Sequence, residues 1–192
     1  RISPNTITYC SFLLTFIACL LLISGNLIKA LCASILFILI GISDCVDGNI
    51  ARASNNLSLK GEWLDAFSGY FIYAFKPISI GFFLENSNNI FLFEGFWVIC
   101  GALISIFNLL SRLIYQKSLN LIIKAKKIIE NSNYKKSFSI GNEIGMVGFM
   151  MPLFFLSLIF NKLEYYLFFY LFVYIFTFIF AYLSIIKKIS NY

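Results

Sequence analysis

Histidine is missing from all 192 residues, charged side chains make up only 12% of them, and proline occurs three times. Without histidine there is no imidazole to act as general base or metal ligand, so proton chemistry must use carboxylates, tyrosine, lysine or water. The scarcity of charge excludes a water-soluble domain of this size. With 60% hydrophobic residues and a mean hydropathy of +0.85, the chain has too few polar groups to cover a surface facing water, and its surroundings are mostly lipid. No C-x-x-C pair occurs among Cys10, Cys19, Cys32, Cys45 and Cys100, which sit in apolar runs and read as small buried hydrophobes. The net charge of +6 raises the question of nucleic acid. Here, however, the basic residues flank apolar runs, where they set membrane topology and face anionic lipid, so nucleic acid is not an expected partner.

A spanning helix needs about 20 mainly apolar residues, so the chain holds roughly six. The fold class predicted is an all-α integral membrane protein, a bundle of six transmembrane helices forming one domain over residues 1–192. The first apolar run covers residues 7–24 and is broken by Gly25 and Asn26. It lacks a small-residue cleavage site and the next run is just as apolar, which argues against a signal peptide. The second run starts near Ala30 and continues through Ile42 into the charged stretch from Asp44 to Arg52. The third extends from near Gly61 to about Leu84, with a kink or partial break expected at Lys76 and Pro77, and residues 85–89 read as a loop. The fourth runs from about Ile90 to Ser111 and Arg112, before a lysine-rich segment that reaches about Ser139. Within that segment, residues 119–129 have one apolar face, which suits either a helix lying on the inner membrane surface or a solvated extension of the fourth helix. The fifth and sixth spans cover residues 140–160 and 165–186.

Positive residues are retained on the cytoplasmic side of a membrane. In the six-span arrangement one side receives Arg1, Arg52, Lys60, Arg112, Lys117, Lys124, Lys126, Lys127, Lys135, Lys136, Lys187 and Lys188, and the other only Lys29 and Lys162, with Lys76 inside a span. Both termini and the Asp-rich stretch are therefore expected on the cytoplasmic face of a cell (inner) membrane.

Asp44, Asp47 and Asp65 stand at the ends of apolar helices, where carboxylates are costly unless paired, hydrated or metal-bound. Asp44 and Asp47 share one helical face and repel each other without a cation between them. Asp65 lies one turn into the next helix, after a short connection. Converging on one depth, the three describe an oxygen-ligand site for a hard divalent cation such as Mg2+ or Mn2+. The alternative is pairing of Asp44 and Asp47 with Arg52 and Lys60, leaving Asp65 as a helix-end charge. Small residues at Gly48, Ala51 and Gly61 favour the site, because they leave room for a ligand near the backbone.

Asp44-Cys-Val-Asp47-Gly48-Asn-Ile-Ala51-Arg52, eight further residues, and then Gly61-Glu-Trp-Leu-Asp65 resemble the signature of the CDP-alcohol phosphotransferase family, D-x-x-D-G-x-x-A-R-x8-G-x-x-x-D-x-x-x-D. Every position agrees except the last. Pro4 and Asn5 are similar to the segment that precedes the first span in that family. The resemblance implies transfer of a substituted phosphoryl group, such as phosphatidyl, from a CDP-linked lipid or alcohol to an acceptor, releasing CMP, in phospholipid biosynthesis. By the same resemblance Asp44, Asp47 and Asp65 hold the metal, Gly48, Ala51 and Gly61 make space for the cytidine diphosphate, and Arg52 braces the site. CDP-diacylglycerol is the implied type of donor, and a homodimer in the membrane is the implied assembly.

The fourth aspartate, regarded in the family as the general base, is Gly69 in this chain. Three explanations are open: an acceptor that is already ionised and needs no base, a substitute group such as Glu62, Tyr70 or Glu143, or a family member that binds CDP-lipid or metal without efficient transfer. Arg112, at the end of an apolar span, is the candidate acceptor ligand. Gly141, Asn142, Glu143 and Gly145 open the fifth helix and are candidates for lining the same cavity. A transporter or channel leaves the signature's glycine spacing unexplained.

Overall fold

The computed structural model describes residues 4–53, 59–87, 91–124 and 149–189. Its helices are α1 (Pro4–Ile23), α2 (Leu27–Ala53), α3 (Leu59–Asn86), α4 (Phe96–Lys124), α5 (Met150–Ile159) and α6 (Leu163–Ile189). Five of them carry stretches long and apolar enough to cross a membrane, at Thr6–Ile23, Leu27–Val46, Leu59–Asn86, Phe96–Ser118 and Leu163–Lys187. Large apolar side chains such as Ile28, Leu113 and Phe176 point outward from the bundle, an arrangement suited to lipid and not to water. The chain is thus a multi-pass membrane protein. Of the predicted fifth span, α5 is the described part; the rest, with Gly141, Asn142, Glu143 and Gly145, lies outside the described residues.

The first break falls where glycine and asparagine were expected to put it. Gly25 adopts φ +67° and its N–H donates to Leu22 O, closing α1. Asn26 Oδ1 then accepts from the N–H groups of Ile28 and Lys29, at 2.9 and 3.3 Å. This cap starts α2 at Leu27, three residues before the expected Ala30, because it satisfies the first orphan donors of the helix. The end of α3 clasps the same turn: Asn86 Nδ2 donates to Ile23 O at 2.6 Å and Ser87 Oγ to Gly25 O at 3.3 Å.

Two boundaries differ from expectation. Glu85 and Asn86 belong to the last turn of α3 and not to a loop. The fourth helix starts at Phe96 instead of Ile90, because Gly95 turns the chain at φ +85° and its N–H donates to Glu85 Oε1 at 2.7 Å. At its other end α4 continues to Lys124, so the described part of the lysine-rich segment extends the fourth helix.

α3 packs against α4, α1 against α2 and α3, α4 against α6, and α2 against α5. The α3–α4 contact is made by backbone. A Cβ on Gly81 would fall 2.4 Å from Trp97 O, and one on Gly101 would fall 2.3 Å from Pro77 O. Small residues allow this approach, which membrane helices use because lipid offers no hydrophobic drive for association. α3 runs through Pro77 as one helix, so the partial break allowed for there does not occur. Ser105 Oγ on α4 donates to Ala74 O at 2.7 Å, supplying a partner to the turn that the proline ring loosens.

Lys76, one residue before that proline, is fully buried. Its Nζ lies 4.8 Å from the ring centre of Phe37 on α2 and 5.2 Å from that of Phe154 on α5. It has no hydrogen-bond partner among the described residues. The ring faces attract the ammonium, yet a buried amine without an acceptor is a weak source of stability.

Two measurements in detergent check this packing. Gly101→Leu is expected to lower the thermal unfolding midpoint sharply, since overpacking costs about 1–3 kcal/mol even where side chains can move and here the obstacle is backbone. Gly69→Ala, whose new Cβ would meet only Tyr73 Cε2 among the described residues, at 3.8 Å, is expected to leave the midpoint nearly unchanged. Lys76→Met, which keeps the volume and removes the amine, is expected to unfold at the same temperature or higher; a clear drop would show that the ammonium is an essential tie between α2, α3 and α5.

Candidate functional site

The signature residues fall on two helices. Asp44, Asp47, Gly48, Ala51 and Arg52 lie in the last turns of α2, which ends at Ala53, so Asp44, Asp47 and Ala51 follow one another at three- and four-residue steps along one face. Asp44 is exposed, whereas the side-chain surroundings of Asp47, Gly48, Ala51 and Arg52 lie outside the described residues. On α3, Gly61, Asp65, Gly69 and Tyr73 recur every four residues and form one stripe. Asp65 is exposed, and Gly61, Gly69 and Tyr73 are half-buried. α4 contributes a second four-residue stripe, Asn108, Arg112 and Gln116.

The backbone contact between α3 and α4 sets these two stripes face to face. Arg112 Cζ lies 3.8 Å from the ring centre of Tyr73, a guanidinium laid on an aromatic face. Its Nε donates to Oδ1 of the buried Asn108 at 3.1 Å, which fixes the plane of the group. One turn further along, Gln116 Nε2 donates to the Tyr70 hydroxyl. Tyr73 thus joins the two stripes, with the Arg112 guanidinium covering its ring.

The position of the missing aspartate lies inside this arrangement. Among the described residues, a Cβ on Gly69 would meet Tyr73 Cε2 alone, at 3.8 Å. Of the three substitutes considered, Glu62 is exposed near the start of α3, Tyr70 is engaged by Gln116, and Glu143 lies outside the described residues. Tyr73, Asn108 and Gln116 were not singled out from the sequence. Four-residue steps outward from Gly69 and Arg112 mark all three, but that signal is faint where tyrosines and asparagines are numerous.

Among the described residues no group of three or more His, Cys, Asp or Glu side chains lies close enough to hold a metal ion; the side chain of Asp47 lies outside them. The sequence profile of the CDP-alcohol phosphatidyltransferase family matches residues 1–181. The chain belongs to that family, whose members transfer phosphatidyl groups from CDP-alcohols. No curated protein matches it.

Proposed function

We propose that the chain transfers a phosphatidyl group from a CDP-activated lipid such as CDP-diacylglycerol to an acceptor and releases CMP. The observation that carries this reading is the family match over residues 1–181, in a chain whose acidic signature residues Asp44 and Asp65 stand near the end of α2 and the start of α3. Asp44, Asp47 and Asp65 would hold a divalent cation, Mg2+ or Mn2+, as oxygen donors suited to a hard ion. The cation supplies charge neutralisation to the pyrophosphate and to the departing nucleotide. Gly48, Ala51 and Gly61 leave room for the cytidine diphosphate, and Arg52 braces the acidic cluster. Arg112 is the acceptor's countercharge. The bias of lysine and arginine puts this end of the bundle, and both termini, on the cytoplasmic side of the cell (inner) membrane. The apolar outward face of α6 is consistent with a homodimer.

A second reading rests on Gly69: the chain binds CDP-lipid or metal and transfers poorly, since glycine cannot take a proton from an acceptor hydroxyl.

CMP release from CDP-diacylglycerol, with acceptors varied and Mg2+ or Mn2+ added or chelated, separates the two. Turnover is expected with the metal and is expected to vanish in Asp44→Asn and Asp65→Asn. Cytidine nucleotide binding without CMP release from folded protein would instead establish the non-transferring reading. Gly69→Asp is expected to raise turnover with neutral alcohols by about 10²–10⁴-fold, the usual contribution of a general base; no gain would show that the missing carboxylate is not what limits such acceptors.

A further inference from the structure

Gly69 removes a negative charge from the place where an acceptor would approach, and the groups around that place are not neutral. Tyr73 borders it, with Cε2 at 3.8 Å from the position of an added Cβ. Arg112 covers the ring of Tyr73 at 3.8 Å and is itself held by the buried Asn108. Among the described residues, the groups that border Gly69 on the side of α4 are a hydroxyl donor and a guanidinium. That pair suits an oxyanion and gives nothing to a neutral alcohol that must lose a proton. The order of the stripe on α3, Asp65 then Gly69 then Tyr73, sets the phenol one helical turn beyond the vacant position and two turns beyond the acidic residue.

We propose that Tyr73, held by Arg112, is the specificity-determining residue of the acceptor site and that the acceptor attacks through an already ionised oxygen, as a phosphomonoester or a carboxylate does. This rests on the transferase reading above. In the step, the acceptor oxyanion forms a new O–P bond to the phosphatidyl phosphorus and the P–O bond to CMP breaks. The electron pair leaves with CMP, and no proton changes hands. A phosphate acceptor gives a pyrophosphate linkage and a carboxylate gives an acyl phosphate. The phenol O–H donates to the acceptor oxyanion, and the guanidinium keeps the ring in place and balances the charge. A base at position 69 is then unnecessary, and a carboxylate there would repel the substrate.

Methyl phosphate and acetate have no hydroxyl and test this directly against ethylene glycol, each with CDP-diacylglycerol and wild-type protein in detergent. The expected result is CMP release with methyl phosphate or acetate in preference to the glycol. Mass analysis identifies a pyrophosphate product in the first arm, and trapping with hydroxylamine reveals an acyl phosphate in the second. Tyr73→Phe keeps the ring under Arg112 and removes only the hydroxyl. It is expected to raise the KM for the anionic acceptor by about ten- to a hundredfold, the effect of one hydrogen bond to a charged group, with the KM for the donor unchanged. Turnover confined to the glycol, or a Tyr73→Phe enzyme with an unaltered acceptor KM, overturns the proposal while leaving the transferase reading intact. If no acceptor supports CMP release, the transferase reading fails, and the step proposed here fails with it. The anion site itself is then judged by titrating inorganic phosphate against thermal unfolding: stabilisation in wild type that Tyr73→Phe loses retains the site, and equal response in both removes it.

Discussion

The backbone contact between α3 and α4 is the constraint from which the candidate site follows. Two glycines, Gly81 and Gly101, let the helices meet without side chains between them, and Ser105 fastens the crossing at Ala74. Helices this close have a fixed register. From that register it follows that Arg112 lies over Tyr73 and Gln116 meets Tyr70, several turns away from the glycines. Neither pair resembles a catalytic motif on its own. The crossing brings both together.

The division of labour between the two halves of the bundle is equally physical. Near the clasp of Asn86 and Ser87 on the α1–α2 turn, stability comes from hydrogen bonds to chain reversals and from aromatic packing, with Phe91, Phe96, Trp97 and Phe168 in mutual ring contact. At the opposite ends of α2 and α3, Asp44, Glu62 and Asp65 are exposed, whereas the large fully buried side chains include Trp97, Phe37 and Leu84.

Most of the fold could be read from residue order because lipid makes the reading simple: a run of apolar residues long enough to cross is a helix, and Gly25 with Asn26 ends one and begins another. Boundaries were less legible. Gly95 delays α4 through a turn that its φ permits and that Glu85 completes from a different helix, a partnership no local pattern displays. Pro77 suggested a break, and the partner that lets α3 pass through it lies on α4, at Ser105. On the site, the acidic signature gave the family and the two helices that carry it, and Arg112 stood out as a charge at the end of an apolar run. Tyr73 did not stand out, because its contact with Arg112 comes from an interhelical register that is absent from the order of residues.

The clasp at the first turn also orders events during membrane insertion. Ile23 O and Gly25 O receive their partners from residues more than 60 positions later in the chain, Asn86 and Ser87. Both bonds require the end of α3 to stand beside the α1–α2 turn, so they can form only once the third span has reached the side of the bundle where that turn lies.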